Sequence, residues 1–535
     1  MAAAAFVVYL PSLFFDYTEL DDSIFIREFQ SYNENMHNII TAFQRGLFDA
    51  VKDPYYRPLF SDAMILNYHM SGIENVWGYH AVNILLHITA VILLFRLFRK
   101  LNINELHAFI LALVFAVHPV LSQAVAWIPG RNDTMLAIFT LAFLLSSIDY
   151  TNSGKIKSLL LSALFLLLAF FTKETAVFVP PAAFILLILV LNKKTNDKNN
   201  LVQYAVWVAC FGVWYAARAM ATTASTNMAS AQAMNEALHR LPVIVQYLGK
   251  IVLPVNLSVF PTQQDTAYYY GIAATIILVA VVVLNKQRNT TVLLGGLAIF
   301  MLFLLPALLV PGNLNQQTFE HRLYLPMIGM LILISQTVLI NNNLADKHLF
   351  IAAMAVCGIF SLINFSHQKS FANPRAFWTQ AVETSPNSAF ANIMLAARLD
   401  KEEVPRSKEL FRKAYALNPR EKYLNFYMAE MLQNTNNKDS VAASEKYLLA
   451  EKKVSDYYKC DFLLARVYME RNDINSAATA LQSYLKRDPA NQMANNNLLL
   501  LYFQTAQAEK AKAHVKHMQQ IGLVVPPGIL KQLGM

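Results

Sequence analysis

Long apolar runs recur through the first 370 residues of this chain, and they constrain its fold more than any other feature. A helix that crosses a membrane needs about 20 predominantly apolar residues. Roughly eleven runs approach that length, if local thinning of the bilayer accommodates the short ones. We therefore predict an all-α, polytopic transmembrane helix bundle. The predicted spans cover residues 2–15, 79–98, 107–126, 134–148, 158–171, 176–191, 201–220, 268–284, 292–309, 323–340 and 349–365.

The composition agrees with this class of protein. The 535-residue chain is 56% hydrophobic and only 15% charged, which is far more apolar than a soluble protein of this size needs to be. Its three cysteines, Cys210, Cys357 and Cys460, are too few and too scattered for a disulfide framework or a metal site. Met1 leads into the first apolar run without a basic segment, which argues against a cleavable signal peptide.

The charged residues between the runs predict how the spans are oriented. Alternate connections are basic, and the positive-inside rule places them in the cytoplasm together with the N-terminus. An odd number of spans then places the C-terminus outside, and residues 241–261 are expected to form a re-entrant or surface segment on the outer side. The net charge of +9 therefore reflects topology rather than nucleic-acid binding. The basic connections contain Arg96, Arg99, Lys100, Lys155, Lys157, Lys193, Lys194, Lys198, Lys286 and Arg288.

The first outer loop, residues 16–78, opens with carboxylates directly after the first span. Adjacent like charges repel, and a bilayer edge desolvates them, so such a cluster tends to hold at least one raised or coupled pKa. That property suits a general base, or a group that binds a hydroxyl or a cation such as Mg²⁺ or Mn²⁺. The alternative interpretation is an acidic stop to a helix. The four acids are Asp16, Glu19, Asp21 and Asp22.

The remainder of this loop contains two amphipathic stretches. Ile40, Phe43, Leu47 and Val51 follow helical spacing with polar residues between them. This pattern predicts a helix that lies on a membrane surface rather than crossing it. The second amphipathic stretch covers residues 59–68.

Acids and bases also recur at the outer ends of later spans. Ionisable groups at membrane depth are costly and are usually functional. We expect Arg131, Lys173 and Arg322 to bind the phosphate of an anionic headgroup, with carboxylates beside them. For each residue alone, the alternative is a snorkelling side chain or an ordinary loop charge. The outer set comprises Arg57, His118, Arg131, Asp133, Lys173, Glu174, Glu320 and Arg322.

His80, Asn83 and His87 form one polar stripe on the second span. His80 is expected nearest the outer end, where it can contribute to the headgroup site. For Asn83 and His87, hydrogen bonding between helices is the favoured interpretation. No third ligand at suitable spacing suggests a zinc site.

From about Phe371 the composition becomes that of a soluble domain, and an internal period appears. Pro386 and Pro419 are 33 residues apart, and Pro489 follows 70 residues later, which is two periods of about 34 with a two-residue insertion near residues 434–439. We predict that residues 371–535 form a tetratricopeptide-repeat α-solenoid, whose concave face binds peptides or partner proteins. The expected repeat positions are Trp378 and Ala381; Met428, Ala429, Ala443, Tyr447 and Ala450; Leu464, Ala465, Tyr468, Ala477 and Leu481; and Leu498, Tyr502 and Ala511.

Seven motifs in order give this chain a family resemblance. It resembles the transmembrane and tetratricopeptide-repeat-containing O-mannosyltransferase family and, behind it, the wider GT-C superfamily of lipid-dependent glycosyltransferases. The compact lead-in to the acidic motif, the short first span and the small number of repeats suggest a bacterial relative. The motifs are Leu20-Asp21-Asp22, Tyr56-Arg57-Pro58-Leu59, Gly78-Tyr79-His80 with Asn83 and His87, His118-Pro119, residues 126–133, Thr172-Lys173-Glu174-Thr175 and residues 321–326.

The resemblance implies a GT-C-type glycosyltransferase domain over residues 1–370. It implies a polyprenyl-phosphate-linked sugar as donor, an acceptor hydroxyl on protein or glycan, and a catalytic carboxylate that corresponds to Asp21 or Asp22. Inverting transfer is expected, in which this carboxylate takes the acceptor's proton while Arg131, Lys173 and Arg322, with His118, hold the departing lipid phosphate. The repeats are expected to bind the acceptor protein.

Two other functions fit part of the pattern. A transporter or lipid-linked sugar flippase predicts inverted repeats and polar groups at mid-membrane, whereas here the polar groups lie at one face. A non-catalytic membrane scaffold explains the repeats but not the acids and bases. In every case we expect an integral membrane protein, in the bacterial inner membrane with periplasmic repeats, or in the endoplasmic reticulum with lumenal repeats if the source is eukaryotic.

Overall fold

A computed structural model describes residues 1–48, 55–222, 235, 237–309, 317–340, 345–435, 437–525 and 527–534. Within these ranges the chain is helical, and the one β-type contact is an isolated antiparallel bridge between Thr262 and Gln317. The expectation of an all-α architecture is confirmed for this part of the chain. The chain forms two compact units, Met1–Ser385 and Pro386–Met535.

The first unit contains both long helices and many short ones. The longer helices are Ala2–Tyr9, Pro58–Ser71, Trp77–Lys100, Glu105–Val117, Arg131–Ser153, Ile156–Thr172, Lys198–Ala221, Val243–Val252, Tyr269–Leu284, Thr290–Leu308, Pro326–Ile334, Asp346–Gln368 and Pro374–Thr384. The short helical segments are Leu10–Phe14, Asp21–Ser23, Ile24–Glu28, Gln30–Asn33, Asn38–Thr41, Ala42–Gln44, Pro119–Leu121, Ser122–Ala126, Ile128–Gly130, Glu174–Phe178, Val179–Ile185, Leu186–Val190, Glu320–Leu323 and Lys369–Phe371.

Several of these helices have the length and composition of membrane spans. Four described helices qualify outright: Trp77–Lys100, Ile128–Ser153, Thr290–Leu308 and Asp346–Phe371. A fifth span results if Glu105–Val117 and Pro119–Ala126, which are bent by 50° at their junction, cross together. Shorter apolar helices are Ala2–Phe14, Ile156–Thr172, Glu174–Val190 and Tyr269–Leu284. The protein is therefore an integral membrane protein, and the total of about eleven spans remains a prediction.

The expected span over residues 323–340 is shorter than its apolar run. Its helix covers only Pro326–Ile334, where proline occupies the first turn. The hydroxyls of Ser335 and Thr337 donate to the carbonyls of Ile332 and Ile334 at 2.6 and 2.8 Å. Such local bonds compete with helix propagation, so the run ends in turns.

The first amphipathic stretch of the outer loop also differs from its prediction. Instead of one surface helix there are two short segments, Asn38–Thr41 and Ala42–Gln44, and the chain becomes extended at Arg45. Val51, the last residue of the predicted stripe, lies outside the described residues. The second stretch is the helix Pro58–Ser71, which begins with a proline at its first position.

A break at residues 118–130 contacts two segments that carry candidate site residues. Proline at 119 lacks an N–H group and disfavours a helical residue before it, so the helix ends at Val117. The following short helices pack against Glu320–Leu323 and, through the turn Ile128–Gly130, against Asp21–Ser23. A Cβ atom on Gly130 would lie 2.6 Å from the Gln123 carbonyl oxygen, so only glycine allows this close turn.

The helix Pro374–Thr384 lies in the first unit, although the predicted repeat domain begins at residue 371. Its Gln380 donates to the Leu257 carbonyl oxygen at 3.1 Å and accepts from the Val259 amide at 2.9 Å. Trp378 is fully buried, with its ring 5.6 Å from that of Phe260. These contacts make the expected half repeat part of the membrane unit.

The second unit consists of consecutive helices that pack in pairs. The helices are Ala389–Ala396, Val404–Leu417, Leu424–Gln433, Lys438–Ser455, Lys459–Glu470, Ile474–Leu485, Gln492–Gln504, Ala508–Gln520 and Pro527–Leu533. Ser407, Val441, Ala477 and Ala511 are buried at the same place in four of them. Their spacings are 34, 36 and 34 residues, so the two-residue insertion falls after Val441.

The predicted register is therefore wrong for one helix. The sequence reading places the insertion near residues 434–439 and makes Ala443 an inward position, but Ala443 is exposed and Val441 and Ser444 are buried. The helix begins at Lys438 because Asn437 caps it by accepting from the Asp439 amide. Its 18 residues exceed the 12 of Ile474–Leu485, so the extra residues lengthen the helix. The assignment of these pairs to tetratricopeptide repeats remains a prediction.

Candidate active site

Side chains from remote parts of the first unit act electrostatically on one another, and we call this set the charged cluster. Arg57 opposes the rise in the pKa of Asp21. Burial lowers the pKa of His321 well below its ordinary value, and Lys173, Arg322 and Arg57 lower it further. Because these effects require short separations, the residues share one neighbourhood. The cluster comprises Asp21, Arg57, Asp133, Lys173, Glu174, His321 and Arg322.

Asp21 and Asp22 occupy different environments although they are adjacent. Asp22 is buried and accepts four hydrogen bonds: from the amide and hydroxyl of Thr18 at one oxygen, and from the amides of Leu20 and Ser23 at the other. Asp21 is half-buried, and no hydrogen bond to its carboxylate occurs within the described ranges. The structure thus separates a carboxylate that is fully engaged from one that is open.

The pKa of Asp21 is raised to about 6. Burial is the largest cause, the charge of Asp22 adds to it, and Arg57 opposes both. Burial also raises the pKa of Asp22, against the opposing effect of the hydrogen bonds that it accepts from Thr18, Ser23 and Leu20. Asp21 therefore has the accessible lone pairs and the basicity that a general base needs near neutral pH.

The loop that presents Asp21 is strained at one residue. Glu19 has a φ angle of 54°, a left-handed conformation that is uncommon for a side chain of its size. The four bonds to Asp22 close the loop around it, and Arg27 pairs with Glu19 at 3.3 Å. Asp22 therefore holds the backbone turn that positions Asp21.

Arg57 joins the outer loop to the segment after the helix Ile156–Thr172. Its Nε donates to Oε2 of Glu174 at 2.9 Å, and the amide of Tyr56 donates to the other oxygen at 2.6 Å. The guanidinium also lies 4.7 Å from the ring centre of Tyr55. The ion pair uses Nε, so it does not itself engage the terminal nitrogens of Arg57.

Lys173 and Asp133 form the second ion pair of the cluster, at 2.7 Å. Their side chains are only 12% and 10% exposed, so the pair is largely desolvated. Burial lowers the pKa of Lys173 despite the opposing charge of Asp133. A desolvated cation of this kind interacts with an incoming anion more strongly than a surface lysine does.

Arg322 differs from the other two cations because no carboxylate pairs with it among the residues that the structure describes. Its Nη1 donates to the Gln317 carbonyl oxygen at 3.1 Å, and its guanidinium lies 5.6 Å from the ring centre of Phe319. It is partly exposed. Arg322 is therefore the cation of the cluster that has no carboxylate partner within the described ranges, although its side chain also hydrogen-bonds with that of Tyr247.

Arg131 lies outside the charged cluster, in an arrangement that we call the arginine hub. Its guanidinium is completely buried and donates to Oδ1 of Asn83, to Oδ1 of Asn67 and to the carbonyl oxygens of Ala63 and Tyr79, at 2.7–3.2 Å. Asn83 in turn donates to the carbonyl oxygens of Val125, Trp127 and Ile128. These bonds engage four of the five N–H groups of Arg131 and tie three helices to the 118–130 break.

His118 and His87 are similarly engaged by protein groups, whereas neither ring nitrogen of His80 has a hydrogen-bond partner among the described residues. His118 lies 2.9 Å from the Ile251 carbonyl oxygen through Nε2, while its Nδ1 accepts from the Val120 amide at 3.2 Å. His87 contacts the Tyr324 hydroxyl and the Ala116 carbonyl oxygen at 2.7 and 3.0 Å. His80 is buried, with its ring 6.2 Å from that of Phe15. These contacts link spans to one another, as we expect for Asn83 and His87.

Glu320 also lies apart from the cluster, although it immediately precedes His321. It is fully buried, pairs with Lys250 at 2.6 Å, accepts from the Ser258 amide at 2.8 Å and lies 3.4 Å from Nε2 of His367. Burial favours a higher pKa for Glu320, but Lys250 and His367 outweigh it, and the pKa lies below its ordinary value. Glu320 therefore belongs to a buried ion-pair network that joins helices to one another.

A divalent cation is one of the expectations for the adjacent acids. Among the described residues, no group of three or more His, Cys, Asp or Glu side chains is arranged to hold a metal ion. At Asp22 both carboxylate oxygens already accept hydrogen bonds. A metal bound by both acids would therefore have to displace the donors that shape the loop.

With this geometry described, the chain can be compared with known proteins. Residues 58–216 match the dolichyl-phosphate-mannose-protein mannosyltransferase family. Protein O-mannosyl-transferase TMTC1 of Mus musculus is 37% identical over 139 residues, which are 25% of this chain and 15% of that protein. The resemblance to the transmembrane and tetratricopeptide-repeat-containing O-mannosyltransferases is confirmed.

Two further O-mannosyltransferases support this resemblance over shorter stretches. TMTC2 of Homo sapiens is 40% identical over 99 residues, which are 18% of this chain and 12% of that protein. TMTC4 of Homo sapiens is 37% identical over 108 residues, which are 18% of this chain and 14% of that protein. The alignments thus cover 12–15% of the length of these three relatives.

The match to the mannosyltransferase family includes part of the cluster. Asp133, Lys173 and Glu174 lie within residues 58–216, while Asp21 and Arg322 lie outside them. For the cluster residues outside this match, the assignment to the candidate site depends on their burial and contacts alone.

The sequence reading omits His321 from the candidate site, although it stands in the motif that contains Arg322. Its role in the cluster depends on Gln123, which accepts from both the backbone amide and Nδ1 of His321 at 3.1 Å. The two residues are 198 positions apart, and Gln123 lies in the short helix Ser122–Ala126. A glutamine within the mostly apolar residues 120–128 is the sequence signal for this contact.

Proposed function

We propose that this protein is an integral-membrane glycosyltransferase that moves a sugar from a polyprenyl-phosphate donor to an acceptor hydroxyl on the periplasmic or lumenal side. The observation that carries the proposal is the charged cluster, in which Arg57 acts on an open carboxylate with a raised pKa and, together with Lys173 and Arg322, on His321. The similarity of the chain to protein O-mannosyltransferases makes mannose the first sugar to test and a protein hydroxyl the first acceptor.

In this proposal Asp21 is the general base. It takes the proton of the acceptor hydroxyl as the oxygen forms a bond to the anomeric carbon of the sugar. The bond between that carbon and the phosphate oxygen breaks, and its electron pair leaves with the lipid phosphate. Attack from the side opposite the phosphate inverts the anomeric configuration. Asp22 keeps Asp21 in place by holding the loop.

The leaving lipid phosphate needs positive charge that is already in position when the bond breaks. Arg322 is the leading ligand because no carboxylate compensates it in the described part of the chain. Lys173 and Arg57 add positive charge while Asp133 and Glu174 hold them in place. In this account Arg131 and His118, which are expected phosphate ligands from the sequence, position helices, and Glu320 stabilises the fold.

The repeat helices of the second unit are proposed to bind the acceptor protein. Stacked helix pairs present extended surfaces that suit peptide binding. The second unit alone should then retain acceptor proteins, and this binding should survive loss of Asp21.

The test is transfer by purified protein in vesicles that contain polyprenyl-phosphate mannose, with the corresponding glucose and N-acetylglucosamine donors in parallel. Formation of polyprenyl phosphate and of glycosylated acceptor is measured by mass spectrometry. Activity after exhaustive chelation is measured in the same assay: transfer that survives excludes a required divalent cation, and transfer that is lost indicates one. Movement of the donor between leaflets without sugar transfer would instead identify a flippase. Absence of both transfer and movement would favour a non-catalytic scaffold.

A matched pair of double variants tests the cluster within this assay. Lys173→Met with Asp133→Asn removes a desolvated ion pair without leaving either charge alone, and transfer should fall by about 10–100-fold. Lys100→Met with Asp149→Asn removes an ion pair whose side chains are both 45% exposed, and transfer should be unchanged. Equal effects of the two pairs would contradict the proposed phosphate site.

A further inference from the structure

Three aromatic rings lie together at the edge of the charged cluster, and we call them the aromatic stack. The ring centres of Phe319 and His321 are 5.2 Å apart with 27° between their planes. Trp127 lies 5.5 Å from His321 and 6.4 Å from Phe319, again with moderate interplanar angles of 37° and 23°. Phe319 and His321 are partly exposed, whereas Trp127 is buried. The stack therefore offers an accessible aromatic surface next to the cations.

The hydrogen-bond network fixes which nitrogen of His321 carries the proton. Gln123 donates through Nε2 to the Val259 carbonyl oxygen at 2.9 Å, so its Oε1 is directed to His321. That oxygen lies 3.1 Å from Nδ1 of His321 and also accepts from the backbone amide of the same residue. An amide oxygen only accepts, so Nδ1 must carry the hydrogen. In the neutral ring Nε2 is then a hydrogen-bond acceptor.

The surroundings of His321 keep the ring neutral. Burial and the charges of Lys173, Arg322 and Arg57 all lower its pKa. Its Nε2 has no hydrogen-bond partner among the described residues. A neutral acceptor cannot bind a phosphate oxygen, which is itself an acceptor. It needs a donor, and a ligand hydroxyl supplies one.

Trp127 adds a second unsatisfied group, the N–H donor of its indole ring. Its side chain is 5% exposed, and Nε1 has no acceptor in the ranges that the structure describes. A buried donor without a partner is costly, but this one is closed to a ligand in the present arrangement. The accessible part of the stack thus combines one free acceptor, Nε2 of His321, with an apolar face. A sugar ring presents hydroxyls on its rim and C–H groups on its face, which matches this combination.

We propose that the aromatic stack binds the sugar of the donor, with one sugar hydroxyl donating to Nε2 of His321 and the ring packed against Phe319 and His321. This inference rests on the proposed function, because it takes a lipid-linked sugar as the ligand. It assigns His321 to sugar recognition and Gln123 to keeping His321 in the tautomer that is protonated on Nδ1. The stereochemistry of the hydroxyl that reaches Nε2 then selects among sugars.

The decisive experiment crosses variants with donors that each lack one hydroxyl. Wild type, His321→Phe and Phe319→Leu are assayed with polyprenyl-phosphate mannose and its 2-, 3-, 4- and 6-deoxy analogues. His321→Phe keeps an aromatic ring in the stack but removes Nε2. We expect it to lower kcat/KM about tenfold with mannose and with three of the analogues. With the fourth analogue, which already lacks the bonded hydroxyl, the substitution should cost nothing more.

Controls separate this inference from the proposed function. His107→Phe replaces a histidine whose Nδ1 lies 3.0 Å from Nδ2 of Asn104, away from the cluster, and should behave as wild type. Equal tenfold losses for His321→Phe with all four analogues overturn the hydrogen bond, although transfer itself continues. Absence of transfer by wild type with every donor overturns the proposed function and this assignment with it.

A second measurement does not depend on activity, and it uses a variant only to identify the His321 signals. Nitrogen-15 spectra of histidine-labelled wild-type protein, with the His321 signals identified by their loss in His321→Phe, report the tautomer directly. We expect protonated Nδ1 and bare Nε2 near neutral pH, and an upfield change at Nε2 when polyprenyl-phosphate mannose is added. A protonated Nε2, or no change with the donor, contradicts the proposal.

Discussion

The arginine hub and the charged cluster both contain arginines in a membrane protein, yet they differ in what the protein leaves for a ligand. At the hub, Arg131 is completely buried and four of its N–H groups donate to protein oxygens. At the cluster, Arg322 is partly exposed and no carboxylate pairs with it in the described part of the chain. Both arginines stand at the ends of predicted spans that we expect on the outer side, so position alone does not separate them.

The difference teaches that hydrogen-bond satisfaction distinguishes a positioning residue from a binding residue. Buried polar groups in native proteins are nearly always paired, and a group that is fully paired with protein atoms has nothing to offer a substrate. Asp22 and Asp21 repeat this contrast at the acidic loop, where one carboxylate accepts four bonds and its neighbour is open. Function is therefore expected where pairing is incomplete.

The largest expected effect concerns the two aspartates. Asp21→Asn should lower the rate of sugar transfer by about 10²–10⁴-fold, because it removes the proposed base. Asp22→Asn should lower it through loss of loop order and destabilise the protein by about 1–3 kcal/mol, because an amide nitrogen would face the donors of the loop. Transfer rates and thermal unfolding of the two variants, measured in detergent, distinguish these effects. Wild-type transfer by Asp21→Asn would show that the base is another group.

The next effect sharpens the comparison through stability. Glu320→Gln leaves Lys250 charged and buried, which should destabilise the protein by about 3–5 kcal/mol. Glu320→Gln with Lys250→Met removes both charges and should be much less harmful. Thermal unfolding of both variants tests this difference. A stable Glu320→Gln protein with a lowered affinity for donor would contradict the assignment of Glu320 to the fold.

A similar but smaller loss is expected at the hub. Arg131→Met breaks the bonds to Asn83, Asn67 and two carbonyl oxygens and should destabilise the protein by about 2–3 kcal/mol. The molecules that remain folded should keep a wild-type KM for donor, because the hub does not touch the ligand in this account. A raised KM at unchanged stability would move Arg131 from the hub to the phosphate site.

The last prediction concerns the ionisation of Asp21, through the pH dependence of the transfer rate and a small change in stability. Since a base must be ionised to act, the rate should rise about tenfold per pH unit up to the pKa near 6 and then level off. A carboxyl group whose pKa is raised in the folded state stabilises that state only when protonated, and this stability is lost as pH rises through about 6. Asp21→Asn should therefore unfold at a slightly higher temperature than wild type at pH 7.5, with a gain of about 1 kcal/mol after allowance for solvent screening. A pH-independent rate between pH 5 and 8 would contradict the assignment.

Much of this fold and part of the site could be predicted from the sequence. Apolar length and periodicity predict helices at nearly every expected span, because both depend on local composition. The run 107–126 is broken at Pro119. The run 323–340 has a shortened helix, since Ser335 and Thr337 end it through contacts that hydropathy does not register. The insertion in the repeats is displaced for a similar reason, because the cap at Asn437 fixes where the helix starts.

At the site, the sequence identifies which residue types stand at the outer ends of spans but not which of them are already paired. Arg131 depends on Asn83 and Asn67, and Glu320 depends on Lys250, partners that are 48 to 70 residues away. Gln123 and His321 are separated by 198 positions. Pairing of this kind follows from tertiary packing, so a single sequence gives both arginines the same weight.

The central claim is tested most directly by the binding of polyprenyl phosphate, the proposed lipid product, to purified protein. Arg322→Gln should weaken binding by about 10–100-fold without loss of stability, because it removes an uncompensated charge. Arg131→Met should leave the Kd of the folded fraction unchanged. If Arg322→Gln binds the lipid phosphate as wild type does, or if Arg131→Met loses binding while fully folded, the distinction between cluster and hub is contradicted.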